Sequence, residues 1–102
     1  MNEGEFLDQS DAILARIQQA LDDSEIAEAN LIEGVLNIEF DDGSQVIVNR
    51  HAPNHEIWLA AKSGGFHFRS DGKAWLDTRD GVELFTRLSH IISMQAGIAF
   101  VL

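Results

Sequence analysis

The chain has 102 residues, no cysteine and a formal net charge of −10. At that length residues 1–102 are expected to form one domain around a single core, and the lack of thiols excludes disulfides, thiolate zinc sites, cysteine nucleophiles and thiolate-held iron–sulfur clusters. The carboxylate excess argues against nucleic acid, whose phosphates it would repel, and favours cations or a basic protein surface.

The charge is unevenly spread. Residues 1–28 hold eight acids against one base, Arg16, a balance of −7, while the rest of the chain holds nine acids and six bases. A solvated acidic face that merely keeps the protein soluble is the plain alternative to a binding role. The start, "MNEGEFLDQSD", has neither the basic region nor the apolar stretch of a secretion or transit signal. No apolar run reaches the length of a bilayer span. A soluble, cytoplasmic chain without membrane contact is expected.

In chain order, the first element reads as an amphipathic helix. At about 100° per residue, Phe6, Ser10, Ile13, Leu14, Ile17, Ala20 and Leu21 fall on one side, with Asp8, Asp11, Ala15, Gln18, Gln19 and Asp22 on the other. The helix should end near Asp22-Asp23-Ser24. Carboxylates there oppose the helix macrodipole, so helix stability does not account for them.

From about Ile26 to Thr78 the pattern is strand and turn. "VLNIEF" alternates, with Leu36, Ile38 and Phe40 on one face and Asn37 and Glu39 on the other. "DDGS" reads as a hairpin turn with Gly43 free to take positive φ, and "QVIVNRH" is the returning strand, β-branched at Val46, Ile47 and Val48. Pro53 separates it from "EIWLAAK". "SGG" then turns into "GFHFRS", and "SDGK" into "AWLDT". Such short connections imply an antiparallel meander. A second helix follows, with Asp80 as the expected N-cap and Glu83 completing a capping-box-like pair. Leu84, Phe85, Leu88, Ile91 and Ile92 make its apolar stripe, Gly97 is the expected stop, and the tail "IAFVL" must pack on something. The expected fold is α+β: a two-layer sandwich with both terminal helices side by side on one face of an antiparallel sheet, the other face open to water.

Strand parity then bears on Trp58. Ile57, Leu59 and Ala61 share one face; Glu56, Trp58, Ala60 and Lys62 share the other. The second set carries both charges and should be the wet face. A tryptophan there is a binding-surface candidate, because it offers large contact area at low entropic cost. Alternatively, a loop shields it or it stacks flat on sheet neighbours such as Val48 or Phe68. Parity alone leaves both readings open.

The segment "NRHAPNHEIWLAAKSGGFHF" resembles the signature of the frataxin family in its bacterial form. Supporting matches are the acidic first helix ending in "LDD", the hairpin "GVLNIEFDDGSQVIVNR", "WLDTRDG" before the second helix and "QAG" near the end, so the likeness covers nearly the whole chain in order. It implies the same sandwich, iron bound along an acidic ridge on the first helix and the edge of the first strand, and a role in iron–sulfur cluster assembly through binding of a cysteine desulfurase and its scaffold protein. The ridge positions matched are Asp22 and Asp23, with Glu25 and Glu28 following in the connection to the first strand; the partner-surface positions matched are Asn49 and Trp58. Two features depart from the family pattern. Apolar residues and Asn30 interleave the acids after Asp23, giving a thinner ridge, and His51 and Glu56 stand where glutamine is common.

Carboxylates are hard ligands that suit Fe²⁺ and Fe³⁺ but discriminate poorly among hard cations. Asp8, Asp11 and Asp22 do not converge, since Asp11 and Asp22 lie roughly 16 Å apart at ~1.5 Å rise per residue; Asp22, Asp23 and Glu25 are placed to approach one ion at the helix end. Weak, surface-exposed iron binding is expected rather than a caged site. Each of His51, His55, His67 and His90 reads as structural or surface, and Pro53 forbids the helix that would align the first two. No Ser–His–Asp arrangement or phosphate-cradling glycine loop emerges, and "KSGG" lacks the Walker spacing. A regulatory iron-binding protein without an active site is therefore expected, a monomer whose oligomerisation with iron is left open. A ferroxidase or iron store is the alternative, although a di-iron site would want Glu-x-x-His motifs facing inward.

Overall fold

A computed structural model describes residues 1–102. Helix α1 (Glu3–Ser24) begins where Asn2 caps it: the Asn2 side chain accepts the Glu5 N–H at 2.8 Å and the Glu5 carboxylate accepts the Asn2 N–H at 3.4 Å, a reciprocal box that satisfies two otherwise orphan donors. Phe6, Ser10, Leu14, Ile17 and Leu21 are buried along one stripe as their spacing requires. The buried Ser10 hydroxyl is satisfied by the Leu7 carbonyl at 3.1 Å.

The sheet is a six-stranded antiparallel meander in sequential order: β1 (Glu28–Ile32), β2 (Val35–Glu39), β3 (Gln45–His51), β4 (Glu56–Ala61), β5 (Gly64–Ser70) and β6 (Trp75–Asp77). Leu36, Ile38, Val46, Val48, Ile57, Leu59 and Phe68 are buried beneath the helices, so alternation correctly assigns the two faces of the central strands. Glu28 is the first residue of β1 rather than part of the connection leading to it. The hairpin at "DDGS" closes with Phe40 and Ser44 bonded across it, the Asp42 carboxylate accepting the Ser44 N–H at 2.8 Å, and Gly43 at φ 85°. Pro53 lies in a single 3₁₀ turn, Ala52–Asn54, between β3 and β4. Gly64 and Gly65 belong to β5 itself, and the chain reverses at Lys62-Ser63 just before them.

Helix α2 (Leu84–Ala96) starts later than its sequence pattern implies. Its N-cap is Glu83, whose carboxylate accepts the N–H groups of Phe85 at 2.8 Å and Thr86 at 3.0 Å. Asp80 cannot cap it, because residues 78–82 fold back on β6: Asp77 N–H bonds the Val82 carbonyl at 2.8 Å, Leu76 bridges Glu83, and Gly81 has φ 76°. Asp80 instead accepts the Val82 N–H and pairs with Arg87. Gly97 stops the helix in the left-handed region, φ 69°. The tail is held by α2 serines: Ser93 Oγ accepts the Phe100 N–H at 2.9 Å and Ser89 Oγ the Leu102 N–H at 2.9 Å, and Phe100 is buried.

Candidate functional site

The end of α1 and the start of β1 form an acidic groove. Glu25 caps α1 with φ 58° and donates its N–H to the Leu21 carbonyl, an uncommon conformation for a residue with a side chain. The chain thereby reverses and runs back along the sheet edge, so that Asp22, Glu25 and Glu28 line one groove with Leu21, Ala27, Ala29, Asn30 and Asp41. Four acidic residues are among those that line this groove and no basic residue is. The last turn of α1 also lacks a basic residue, which leaves the carboxylates unopposed beside the negative helix end. That arrangement makes the local potential negative. No three Asp, Glu or His side chains converge closely enough to hold one ion in a cage.

The other acids assigned from sequence lie elsewhere. Gln19 Nε2 donates to Asp23 at 2.9 Å, and Asp23 is not among the groove residues, so the set Asp22, Asp23 and Glu25 does not gather at one point. Asp11 forms an ion pair with Arg50, which crosses from β3 to hold α1 against the sheet. Asp8 is exposed farther up the helix. Gln18 does not belong with the outward acids either; its Nε2 donates to the Ala29 carbonyl of β1 at 3.3 Å. Asp41 is the groove residue that sequence reasoning missed. It sits in the β2–β3 turn, and the pairing of Glu28 with Glu39 brings that turn to the helix end.

The second region is the bare face of the sheet. Asn49, Trp58 and His67 are direct neighbours across β3, β4 and β5, with Val35 of β2 paired to Asn49 and Ile32 of β1 to Val35. Trp58 therefore lies on the face away from the helices and is half-buried. It does not rest on Val48 or Phe68, which point into the core opposite Leu59 and Ile57. Instead it is sandwiched between His51, 3.8 Å away by ring centroids, and His67, 4.3 Å away.

Glu56 shares this face yet is buried, so its charge does not mark exposure at that position. Its carboxylate accepts the Trp58 indole N–H at 2.9 Å and the Arg69 guanidinium at 2.7 Å. Burial pushes the Glu56 carboxyl up, but the hydrogen bonds from Trp58 and Arg69, the Arg69 charge and the nearby His67 outweigh it and hold the carboxyl below its ordinary value. His55 stacks on Phe6 at 4.9 Å, apart from His51, and His90 is exposed on α2.

Two helices on one face of a six-stranded antiparallel meander, with carboxylates gathered at a helix end and stacked rings on the bare face, define a frataxin-like α+β sandwich. A family model described as Frataxin-like domain matches residues 1–98, and the chain belongs to the frataxin family. It is 50% identical over 108 residues to a protein of Janthinobacterium sp. (strain Marseille) named iron-sulfur cluster assembly protein CyaY, covering 100% of this chain and 96% of that one. A protein of the same name from Dechloromonas aromatica (strain RCB) is 50% identical over 104 residues, covering 100% and 99%. Among solved structures, a frataxin from Psychromonas ingrahamii superposes with a TM-score of 0.92 at 29% identity, covering 99% of this chain and 97% of that one. The trimeric frataxin of the yeast Saccharomyces cerevisiae, complexed with ferrous, shares the fold at a TM-score of 0.77 and 24% identity over 86% and 85% of the chains. No helix is long and apolar enough to cross a membrane.

Proposed function

We propose that this chain serves iron–sulfur cluster assembly as an iron-binding protein that engages a cysteine desulfurase and its scaffold protein and sets the rate of cluster formation. The observation that carries the proposal is the groove lined by Asp22, Glu25, Glu28 and Asp41 with no basic residue among its lining. The full-length likeness to proteins named for cluster assembly supports it. Iron is cargo here, held weakly by carboxylates and water at a surface that offers hard oxygen ligands. Without cysteine the chain cannot donate sulfur or hold a cluster by thiolates, which leaves iron delivery or modulation of the enzyme as its means of action.

The partner is engaged in two places. The acidic end of α1 meets a basic surface, an association that is electrostatically steered and weakened by salt. Asn49 and Trp58 supply a second contact on the bare sheet. Cluster assembly followed in vitro, with the wild type, Trp58→Ala and an Asp22→Asn/Glu28→Gln variant, tests both contacts. Each variant should lose its effect on the rate, and Fe²⁺ titration should move amide resonances at residues 22–28 and 41. Wild-type protein without effect on the assembly rate, or iron shifts absent from those residues, would refute the proposal.

A further inference from the structure

Trp58 is not a free ring. Imidazoles from both flanking strands cover its two faces, His51 at 3.8 Å and 7° from parallel, His67 at 4.3 Å and 8°. Its N–H is committed to Glu56, which is in turn held by Arg69. A partner therefore cannot stack on the indole and meets only the edge of a three-ring pile. Two of those rings are of the one kind of side chain whose charge ordinarily changes between pH 5 and 8.

The charged and titratable groups around the pile are few. Glu56 of β4 lies 3.9 Å from His67 Nδ1 and 2.7 Å from Arg69 of β5, while Asn49 of β3 and Val35 of β2 continue the row without charge. Glu56 and Arg69 balance each other. With neutral imidazoles the patch thus has no net charge, and each proton taken up adds one positive charge to it. An imidazolium stacked on indole is itself favourable, so protonation changes the charge of the docking edge without dismantling it.

Resting on the reading of Trp58 as a partner contact, we propose that His51 and His67 are positioning residues that hold Trp58 edge-on, and that their protonation turns an uncharged docking surface into a cationic one that a basic partner no longer engages. The acidity of the rest of the chain makes the partner basic, and a like charge on the sheet opposes it.

The test has two arms. In the first, the ¹⁵N-labelled full chain is titrated from pH 8 to 5 without any partner. The Trp58 indole N–H resonance should move together with the imidazole C–H resonances of His51 and His67, and should cease to move in His51→Phe/His67→Phe, which keeps the rings and removes the protons. A resonance that stays still in the wild type, or moves equally in the double phenylalanine variant, overturns the proton-linked clamp.

In the second arm, affinity for purified cysteine desulfurase is measured at pH 8 and 6. Wild-type binding should weaken by about two- to five-fold per proton. The phenylalanine pair should bind equally at both pH values, and His51→Ala/His67→Ala should lose about two- to ten-fold at both. Equal weakening of the wild type and the phenylalanine pair, or full affinity in the alanine pair, overturns the proposal. Absence of wild-type binding at both pH values sinks the docking role of Trp58, while the first arm still decides whether the clamp exists.

Discussion

Glu56→Gln isolates the charge beneath the stacked rings. The Glu56 side chain is 6% exposed, and it accepts the Trp58 N–H at 2.9 Å and Arg69 at 2.7 Å. Arg69 is 62% exposed, so its ion pair is screened and contributes below about 1 kcal/mol. A hydrogen bond from Trp58 to a buried carboxylate contributes about 1.5–3 kcal/mol, against about 1 kcal/mol for a neutral acceptor. Glutamine keeps an acceptor for the indole, and the expected loss is about 1–2 kcal/mol at pH 7. Glu56→Ala removes both bonds and should lose about 2–3 kcal/mol.

The pH dependence follows from the carboxyl lying below its ordinary value when folded. Its stabilisation is fully present above the ordinary glutamate range and is lost as pH falls through the depressed folded value. Urea unfolding of wild type and Glu56→Gln at pH 7 and at a series of lower pH values reads this directly, since a glutamate, once protonated, and a glutamine are nearly equivalent. The gap between the two should narrow as the pH is lowered. A gap that stays the same at all pH values, or no gap at pH 7, would refute the assignment of Glu56 as an ionised anchor for Trp58.

Gly34→Ala should destabilise by more than about 1 kcal/mol in the same assay, because Gly34 sits at φ 78° and a methyl group there runs into the Arg50 side chain. Glu83→Ala should cost about 1 kcal/mol by removing the α2 cap, while Asp80→Ala, which loses only an exposed pair with Arg87 and a turn bond, should cost less in thermal unfolding. Asp11→Asn should change stability by less than about 1 kcal/mol, since Asp11 is 63% exposed in its pair with Arg50, and should leave iron-induced shifts at residues 22–28 intact.

Much of this protein is legible in its residues one element at a time. The 3.6-residue period of Phe6, Ser10, Leu14, Ile17 and Leu21 is enough to define α1 and its buried face. Alternation in "VLNIEF" and "EIWLAA" orients β2 and β4, and "DDGS" closes its hairpin as turn chemistry requires. Parity separates Trp58 from Ile57 and Leu59, because a side chain's face depends only on its position along its own strand, and the flanking charges and helix arrangement say which of the two faces is bare.

What parity could not say is who lies beside it. The imidazoles of His51 and His67 reach Trp58 through the pairing of β3, β4 and β5, and the buried state of Glu56 comes from Arg69 and the indole rather than from any local pattern. The same holds for the acidic groove. Asp41 joins Asp22, Glu25 and Glu28 only because β1 and β2 pair in the register that sets Glu28 opposite Glu39. The start of α2 shifted for a related reason: Asp80 and Glu83 are both competent caps, and the bonds of residues 77 and 76 to the returning loop chose between them. Periodicity, caps and turns report what a segment does with its own backbone, so the sequence by itself determined the elements and their faces. Convergence of side chains from separate elements depends on strand register and chain reversal, which are decided when the whole core packs, and so the two candidate sites took shape only in the tertiary structure.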